Sequence, residues 1–341
     1  MKRGASRAGL ALLLATSAAC GDSSNEPRAR LVDMPLPTGV AAGTLADTAP
    51  AGNALTEARA ELGRRLFLDG RLSRTGTVSC SSCHKQESAF SDPAPVSTGV
   101  DGRTGTRNAP ALVNLAWERT FFWDGRAASL EEQAGAPIEN PLEMDSPLAD
   151  AVARVAADPS YTSAFADAYG VLTDETLRFA LASFVRTLVS GGSPYDHHLA
   201  GDDSAFGAAE ARGEALFFGA AGCFHCHPQG ALTNGGYFDN GTFVAGGDPG
   251  RQAITHLPGD LGKFKVPALR NVAASAPYMH DGSLATLADV IDQYDHGGRG
   301  DPATDPEIRP LGLTPAEKAD LLAFLSALTD DGFLKDPRFR P

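Results

Sequence analysis

The sequence predicts a mainly α-helical protein in two domains with long loops, and three observations carry that reading. Apolar residues recur at helical spacing behind clear start signals. No alternating run reaches a convincing strand length. A five-residue motif, Cys-x-x-Cys-His, occurs once in each half of the 341-residue chain.

Taken in order, Ser129 and Glu132 read as a capping box that opens a short helix carrying Gln133. Residues 173–189, TDETLRFALASFVRTLV, place Leu177, Ala180, Leu181, Phe184, Val185 and Leu188 on one helical face, with Gly191-Gly192 as the stop. In TLADVIDQYDHGG, Leu287, Val290, Ile291 and Tyr294 repeat at i, i+3, i+4 and i+7, so Tyr294 turns inward with the apolar face. Thr314-Pro315-Ala316-Glu317 is a capping box with proline at the first helical position, leading into Leu321, Leu322, Phe324, Leu325 and Leu328. The 37 glycines and 23 prolines require long connections. SGGSPYD (190–196) marks the expected boundary, dividing the chain into domains 51–194 and 195–341.

The first twenty residues, MKRGASRAGLALLLATSAAC, set Lys2, Arg3 and Arg7 before a short apolar run and small residues, the pattern of a secretory signal. That run is far below the ~18 apolar residues of a spanning helix. Two processing routes stay open: a lipoprotein site with Cys20 as lipid anchor, or plain cleavage after Ala19. Residues 21–50, rich in Ala, Pro, Gly, Ser and Thr, read as a flexible linker. A formal net charge of −13 argues against nucleic acid or an anionic membrane surface as partner and suits a basic patch on a protein.

The motifs are Cys80-Ser-Ser-Cys83-His84 and Cys223-Phe-His-Cys226-His227. Zinc is disfavoured because the adjacent Cys226 and His227 rarely reach one small ion. A c-type haem fits: two thiols add across the porphyrin vinyl groups and the following histidine ligates the iron. Four of the five cysteines are used this way, and the fifth is Cys20. Two covalent haems are therefore expected, with His84 and His227 as axial ligands and His225 a solvated spacer. The rival is a pair of disulfides with incidental histidines. Covalent haem of this kind belongs outside the bacterial cytoplasm, which agrees with the signal and points to the periplasm. No histidine lies between His84 and His197, and no methionine between Phe90 and Leu142, so the first iron lacks an obvious sixth ligand unless a Tyr, Lys or distant His supplies one.

Residues 55–330 resemble the bacterial diheme cytochrome c peroxidase and MauG superfamily, most of all its MbnH-like members. The resemblance rests on RNAPALVN (107–114), FFWDGRAASLEEQA (121–134), NPLEM (140–144) and LRNVAASAPYMHDGSLATL (269–287). It implies two cytochrome c-like domains, Gln133 and Glu143 as peroxide-pocket groups that orient the molecule and move its proton, and Trp123 between the two haems. The bland alternatives are a solvated helix face and a core indole; Trp117 is assigned to packing. Where many members hold a histidine, in VSTGVDGRTG, this chain has Val100, which implies an iron open from the outset. For the second haem the resemblance implies Tyr294 as distal ligand, a phenolate that lowers the iron's potential, with Met279, His280 and His296 as rivals. It also implies one calcium ion held by the Asn108 side chain and the Ser275 and Pro277 carbonyls, an oxygen set suited to a hard cation.

The implied activity is reaction with hydrogen peroxide at the His84 haem and oxidation of an exported partner protein, at tryptophan. The alternative is a peroxidase that removes peroxide with electrons from a small redox protein, and a third reading is a dihaem electron carrier. MauG carries a tryptophan two residues before its second motif, where this chain has Ala221. The outlets left are the haem edge or Phe217, Phe218, Phe224, Tyr237 and Phe238.

Overall fold

A computed structural model describes residue 1 and residues 36–39, 45–301 and 303–340. The signal segment, Cys20 and most of the linker lie outside the described residues. The first half contains α1 (Glu57–Phe67), α2 (Cys80–Cys83), α3 (Leu130–Glu139), α4 (Leu148–Ala156), α5 (Pro159–Tyr169) and α6 (Asp174–Arg186). The second contains α7 (Pro194–Leu199), α8 (Ala208–Phe217), α9 (Gln252–Thr255), α10 (Leu287–Asp295), α11 (Pro315–Ser326) and α12 (Asp331–Lys335). Strands β1 (Tyr237–Phe238) and β2 (Phe264–Lys265) pair antiparallel, Tyr237 opposite Lys265. The architecture is mainly α, as expected. Among the described residues no helix is long and apolar enough to cross a membrane.

Caps set the helix starts. Thr314 and Glu317 form the full reciprocal box at α11. At α3 only half of the expected box forms: Ser129 accepts from the Glu132 N–H, but the Glu132 carboxylate reaches back to the Ala128 N–H. The predicted run over 173–189 ends early, at Arg186. The Thr187 hydroxyl and N–H both bond the Phe184 carbonyl and close the last turn before the glycine pair.

Each half is built on one tight helix pair. A Cβ on Gly63 of α1 would stand 1.9 Å from the Ala180 carbonyl oxygen of α6, and one on Gly213 of α8 would stand 2.0 Å from the Asp320 carbonyl oxygen of α11. Glycine is what lets these backbones meet. Leu62, Leu66, Phe67, Leu177, Leu181 and Phe184 fill the first core, and Phe217, Leu321, Phe324 and Leu325 the second. Burying each such side chain contributes about 1.5–3 kcal/mol.

The halves also repeat one another in their loops. Asn114 and Asn271 adopt left-handed backbone (φ 58° and 60°) and open the short turns Leu115–Trp117 and Val272–Ala274. The bridges Phe121 with Ala127 and Tyr278 with Leu284 follow. Phe122 and Met279 take positive φ at matching places, and Ser129 and Thr286 then cap α3 and α10.

Two expected boundaries are corrected. The turn Leu45–Thr48 is not free linker, because Leu45 is buried against Leu55, Ala60, Ala116 and Val189. The tail, which a 195–341 division would give to the second half, returns to the first. Phe333, Leu334 and Phe339 join its core, with Phe333 and Phe339 ring centroids 5.8 and 5.9 Å from Phe90. Asp330 pins the return, its Oδ2 accepting from the Ser190 hydroxyl and the Gly191 and Gly192 N–H groups.

Candidate dihaem site

Both Cys-x-x-Cys-His motifs reach a single cavity between the halves. Its wall includes Cys83, His84, Trp123, Gln133 and Glu143 from the first half and Cys223, Cys226, His227, Met279 and Tyr294 from the second. Cys80 packs on the adjoining first core. The motifs fold alike. In α2 a Ser79–Ser82 capping box winds Cys80 to Cys83 into one turn, and the His84 N–H returns to the Cys80 carbonyl at 3.0 Å. Gly222, at φ 70°, opens the second turn, and the His227 N–H returns to the Cys223 carbonyl at 2.9 Å. Sequence-adjacent cysteines and histidine thereby face one space from a single turn.

The four thiols are unpaired. Burial keeps them protonated: Cys80 and Cys223 are pushed up to about 12, Cys226 to about 11, with Asp305 and Glu307 adding to the last, and Cys83 is raised as well. His84 Nδ1 lies 2.6 Å from the Phe90 carbonyl oxygen and His227 Nδ1 lies 2.8 Å from that of Leu232. Each carbonyl accepts a hydrogen bond from Nδ1–H, which leaves the Nε2 lone pair free, the arrangement of a metal-ligating imidazole. Burial lowers both pKa values, His227 to about 4, so both rings are neutral at pH 7. Paired thiols, a neutral imidazole and a largely apolar wall fit a covalent haem on each side. His225 is exposed, stacked on Phe224 and 3.5 Å from Glu307.

The sides differ in the groups that line the cavity with these imidazoles. Aligned on the repeat, Met279 and Tyr294 of the second half correspond to Phe122 and Pro137 of the first, and all four line the cavity. Phenylalanine and proline side chains have no atom that can bind iron. The third cavity-lining imidazole, His280, is stacked on Phe264 with centroids 3.6 Å apart, and Lys265 is paired with Glu118 at 2.7 Å.

Gln133 and Pro137 lie one turn apart on α3, and Glu143 follows in the next turn of chain. The Asn140 amide donates to Glu143 Oε1 at 2.6 Å. Burial nevertheless holds the Glu143 pKa above the ordinary carboxylate value, against the pull of Asn140 and Arg126. The loop that could have carried a histidine is locked beneath this glutamate. Val100 is buried, its N–H bonds the Glu143 carbonyl at 2.8 Å, and a Cβ on Gly99 would meet the Leu142 carbonyl oxygen at 2.2 Å.

On the second side, Asn240 Nδ2 donates to both Tyr294 Oη (3.3 Å) and Met279 Sδ (3.2 Å), while its Oδ1 accepts from the Thr242 hydroxyl (2.6 Å). Burial pushes the Tyr294 phenol up to about 12. His296 stands at the exposed end of α10, Nδ1 2.6 Å from the Asp292 carbonyl oxygen, outside the cavity wall.

Trp123 stitches the halves together. Its Nε1–H bonds the Asn108 carbonyl (2.9 Å) and its own carbonyl accepts from Lys265 (2.7 Å). Trp117 packs in the Leu45 cluster. Asn108, Ser275 and Pro277 reach the same cavity, and the Asn108 amide nitrogen is committed to the Asp92 and Ala94 carbonyls, so Oδ1 occupies the other branch. Sequence reasoning missed Phe122, Pro137 and Asn240; the internal repeat was the signal that could have found the first two.

Two thiol–thiol–imidazole sites facing one cavity define a dihaem c-type oxidoreductase. A di-haem cytochrome c peroxidase family model matches residues 57–204 and a cytochrome c model residues 210–329. The chain is 42% identical to the methylamine utilization protein MauG of Methylorubrum extorquens, over 82% of this chain and 80% of that one. It is 33% identical to cytochrome c551 peroxidase of Pseudomonas aeruginosa, over 84% and 82%. A solved MauG-like protein associated with microbial copper homeostasis superposes with a TM-score of 0.81 at 38% identity, covering 85% of this chain and 95% of its own. The chain belongs to the di-haem cytochrome c peroxidase and MauG family.

Proposed function

We propose that this enzyme works in the periplasm, takes hydrogen peroxide on the His84 side, and oxidises a tryptophan of a second exported protein docked near His227. The carrying observation is the asymmetry of the repeat along the cavity wall: Phe122 and Pro137, which offer no ligand atom, stand in the first half where the second has Met279 and Tyr294. When bound, the haems supply the iron that reduces peroxide and stores the oxidising equivalents. His84 and His227 would ligate the irons, and Cys80, Cys83, Cys223 and Cys226 would tether the haems. Glu143, its pKa raised by burial, takes the proton from one peroxide oxygen and returns it to the other. The Gln133 amide orients the bound molecule. Trp123 is the aromatic step between the sides, and the Tyr294 phenol is the distal ligand of the second. Calcium at Asn108, Ser275 and Pro277 ties the halves beside Trp123. The protein is either anchored through Cys20 or released after Ala19.

The test mixes enzyme, peroxide and the exported protein encoded beside it, then measures the partner's mass. An oxygen-type gain on tryptophan is expected. No gain, with fast peroxide turnover driven by a reduced small cytochrome, would establish the plain peroxidase, the reading that Met279 beside Tyr294 favours.

A further inference from the structure

Behind the Tyr294 pocket lies a group of oxygens that the dihaem chemistry does not use. Asp239 is fully buried. Its Oδ1 accepts from the Gly241 N–H at 2.9 Å, but its Oδ2 is buried and bonded to nothing. The buried Thr304 Oγ1 is equally without a partner. Both orphans belong to one contact between two loops. The Asp305 N–H bonds the Asp239 carbonyl at 3.0 Å, the Arg299 N–H bonds the Gly241 carbonyl at 2.9 Å, and a Cβ on Gly241 would stand 2.7 Å from the Gly298 Cα and 3.3 Å from Thr304 Cγ2.

The surroundings are negative. Asp301 and Asp305 both act on Asp239 strongly enough to oppose its ionisation, in addition to its burial. None of the three carboxylates forms an ion pair among the described residues; Lys263 acts on Asp239 only from a distance. A buried carboxylate oxygen with no donor costs about 1–3 kcal/mol or more, so something absent from the protein chain satisfies it. Among the described residues no three carboxylate, imidazole or thiol side chains converge on a metal. The groups on hand are a mixed oxygen set of carboxylate, hydroxyl and main-chain carbonyls, to which water can add, the preference of calcium.

We propose that Asp239 Oδ2, Thr304 Oγ1 and a carboxylate of the 301–305 loop bind a calcium ion, separate from the one at Asn108. Its role follows from the next residue. Asn240, directly after Asp239, holds both Tyr294 Oη and Met279 Sδ. The 301–309 loop supplies Asp305, Glu307 and Arg309 to the cavity wall. The cation clamps the two loops together and fixes the amide that positions the distal ligand of the second haem.

The experiment uses the full haem-loaded protein, dialysed against metal-free buffer and then titrated with calcium, with bound metal counted by inductively coupled plasma mass spectrometry. Wild type should retain one more calcium per chain than Asp239→Asn, and Asn108→Ala should lose a different equivalent, so that the double variant binds none. Thr304→Val, the milder change, should weaken the second equivalent by roughly tenfold or more. Loss of that equivalent should also shift the low-spin signal assigned to the His227 haem and leave the other haem's signal in place. Asp239→Asn with unchanged calcium content and an unchanged signal would overturn the proposal and identify Asp239 as a protonated carboxyl bonded to water. Failure of Asn108→Ala alone to lose calcium would count against the domain-junction ion and leave the Asp239 result readable.

Discussion

The His84 side and the His227 side of the cavity hold their imidazoles in the same way and differ in what stands opposite. In each, a ring donates a hydrogen bond from Nδ1–H to a main-chain carbonyl and lies near one phenylalanine, Phe67 or Phe217, with centroids 6.3 and 6.4 Å apart. In each, a glycine lets two helices touch. The opposite wall then exchanges Met279 for Phe122, Tyr294 for Pro137 and Val290 for Gln133. A duplicated scaffold thus presents iron twice. Three differences on the loop and the capped helix that follows it set the two sides apart.

The largest expected effect comes from removing one site altogether. Cys80→Ala with Cys83→Ala should yield a chain carrying a single covalent haem by mass spectrometry of the denatured protein, with no reaction toward peroxide. The matching Cys223→Ala with Cys226→Ala should remove the other haem. A chain that keeps two haems after either change breaks the assignment of the motifs.

A graft tests the asymmetry directly. Pro137→Tyr gives the first side the second side's phenol, and it should convert the open iron to low spin and block its reaction with peroxide. Electron paramagnetic resonance that still shows one high-spin haem would mean the repeat does not set the ligands. Glu143→Gln should slow the peroxide reaction by about a hundredfold or more while both haems stay in place. The sign of its pH dependence follows from the raised pKa. The ionised form is the base, so the wild-type rate should rise with pH through a value above the ordinary carboxylate range, and that inflection should vanish in Glu143→Gln. Tyr294→Phe should alter only the low-spin spectrum of the second haem; a spectrum that does not move would transfer the role to Met279.

The smallest effects concern the shared scaffold. Gly63→Ala and Gly213→Ala each force a helix pair apart, and each should cost about 1–3 kcal/mol in denaturant unfolding. If Gly63→Ala weakens the first side and leaves the His227 haem's spectrum alone, the two cores act independently despite the tail that joins them.

Much of the site was legible before folding is considered. The haem motifs span five residues each, so their chemistry survives in any context that forms one turn. Thr314 announces a helix start because a cap needs only the next three residues. Less was legible in the extents. The half-formed box at Ser129 and the early end at Thr187 turned on which local hydrogen bond won, a choice of about 1 kcal/mol that spacing does not reveal. Expectations taken from the resemblance, such as Gln133, Glu143 and Trp123 near one another, concern residues that the fold does bring to a single cavity.

By itself, then, the sequence determined a mainly helical chain with two covalent haem motifs and an open-ligand puzzle at the first, because each of these is written in contacts a few residues long. Only the tertiary structure decided that both motifs face one cavity, that Phe122, Pro137, Met279 and Tyr294 line it with them, and that the tail belongs to the first core. It alone left Asp239 Oδ2 without a partner. Those outcomes depend on which distant segments pack together, and packing is settled by the burial of whole faces at once rather than by any short run of residues.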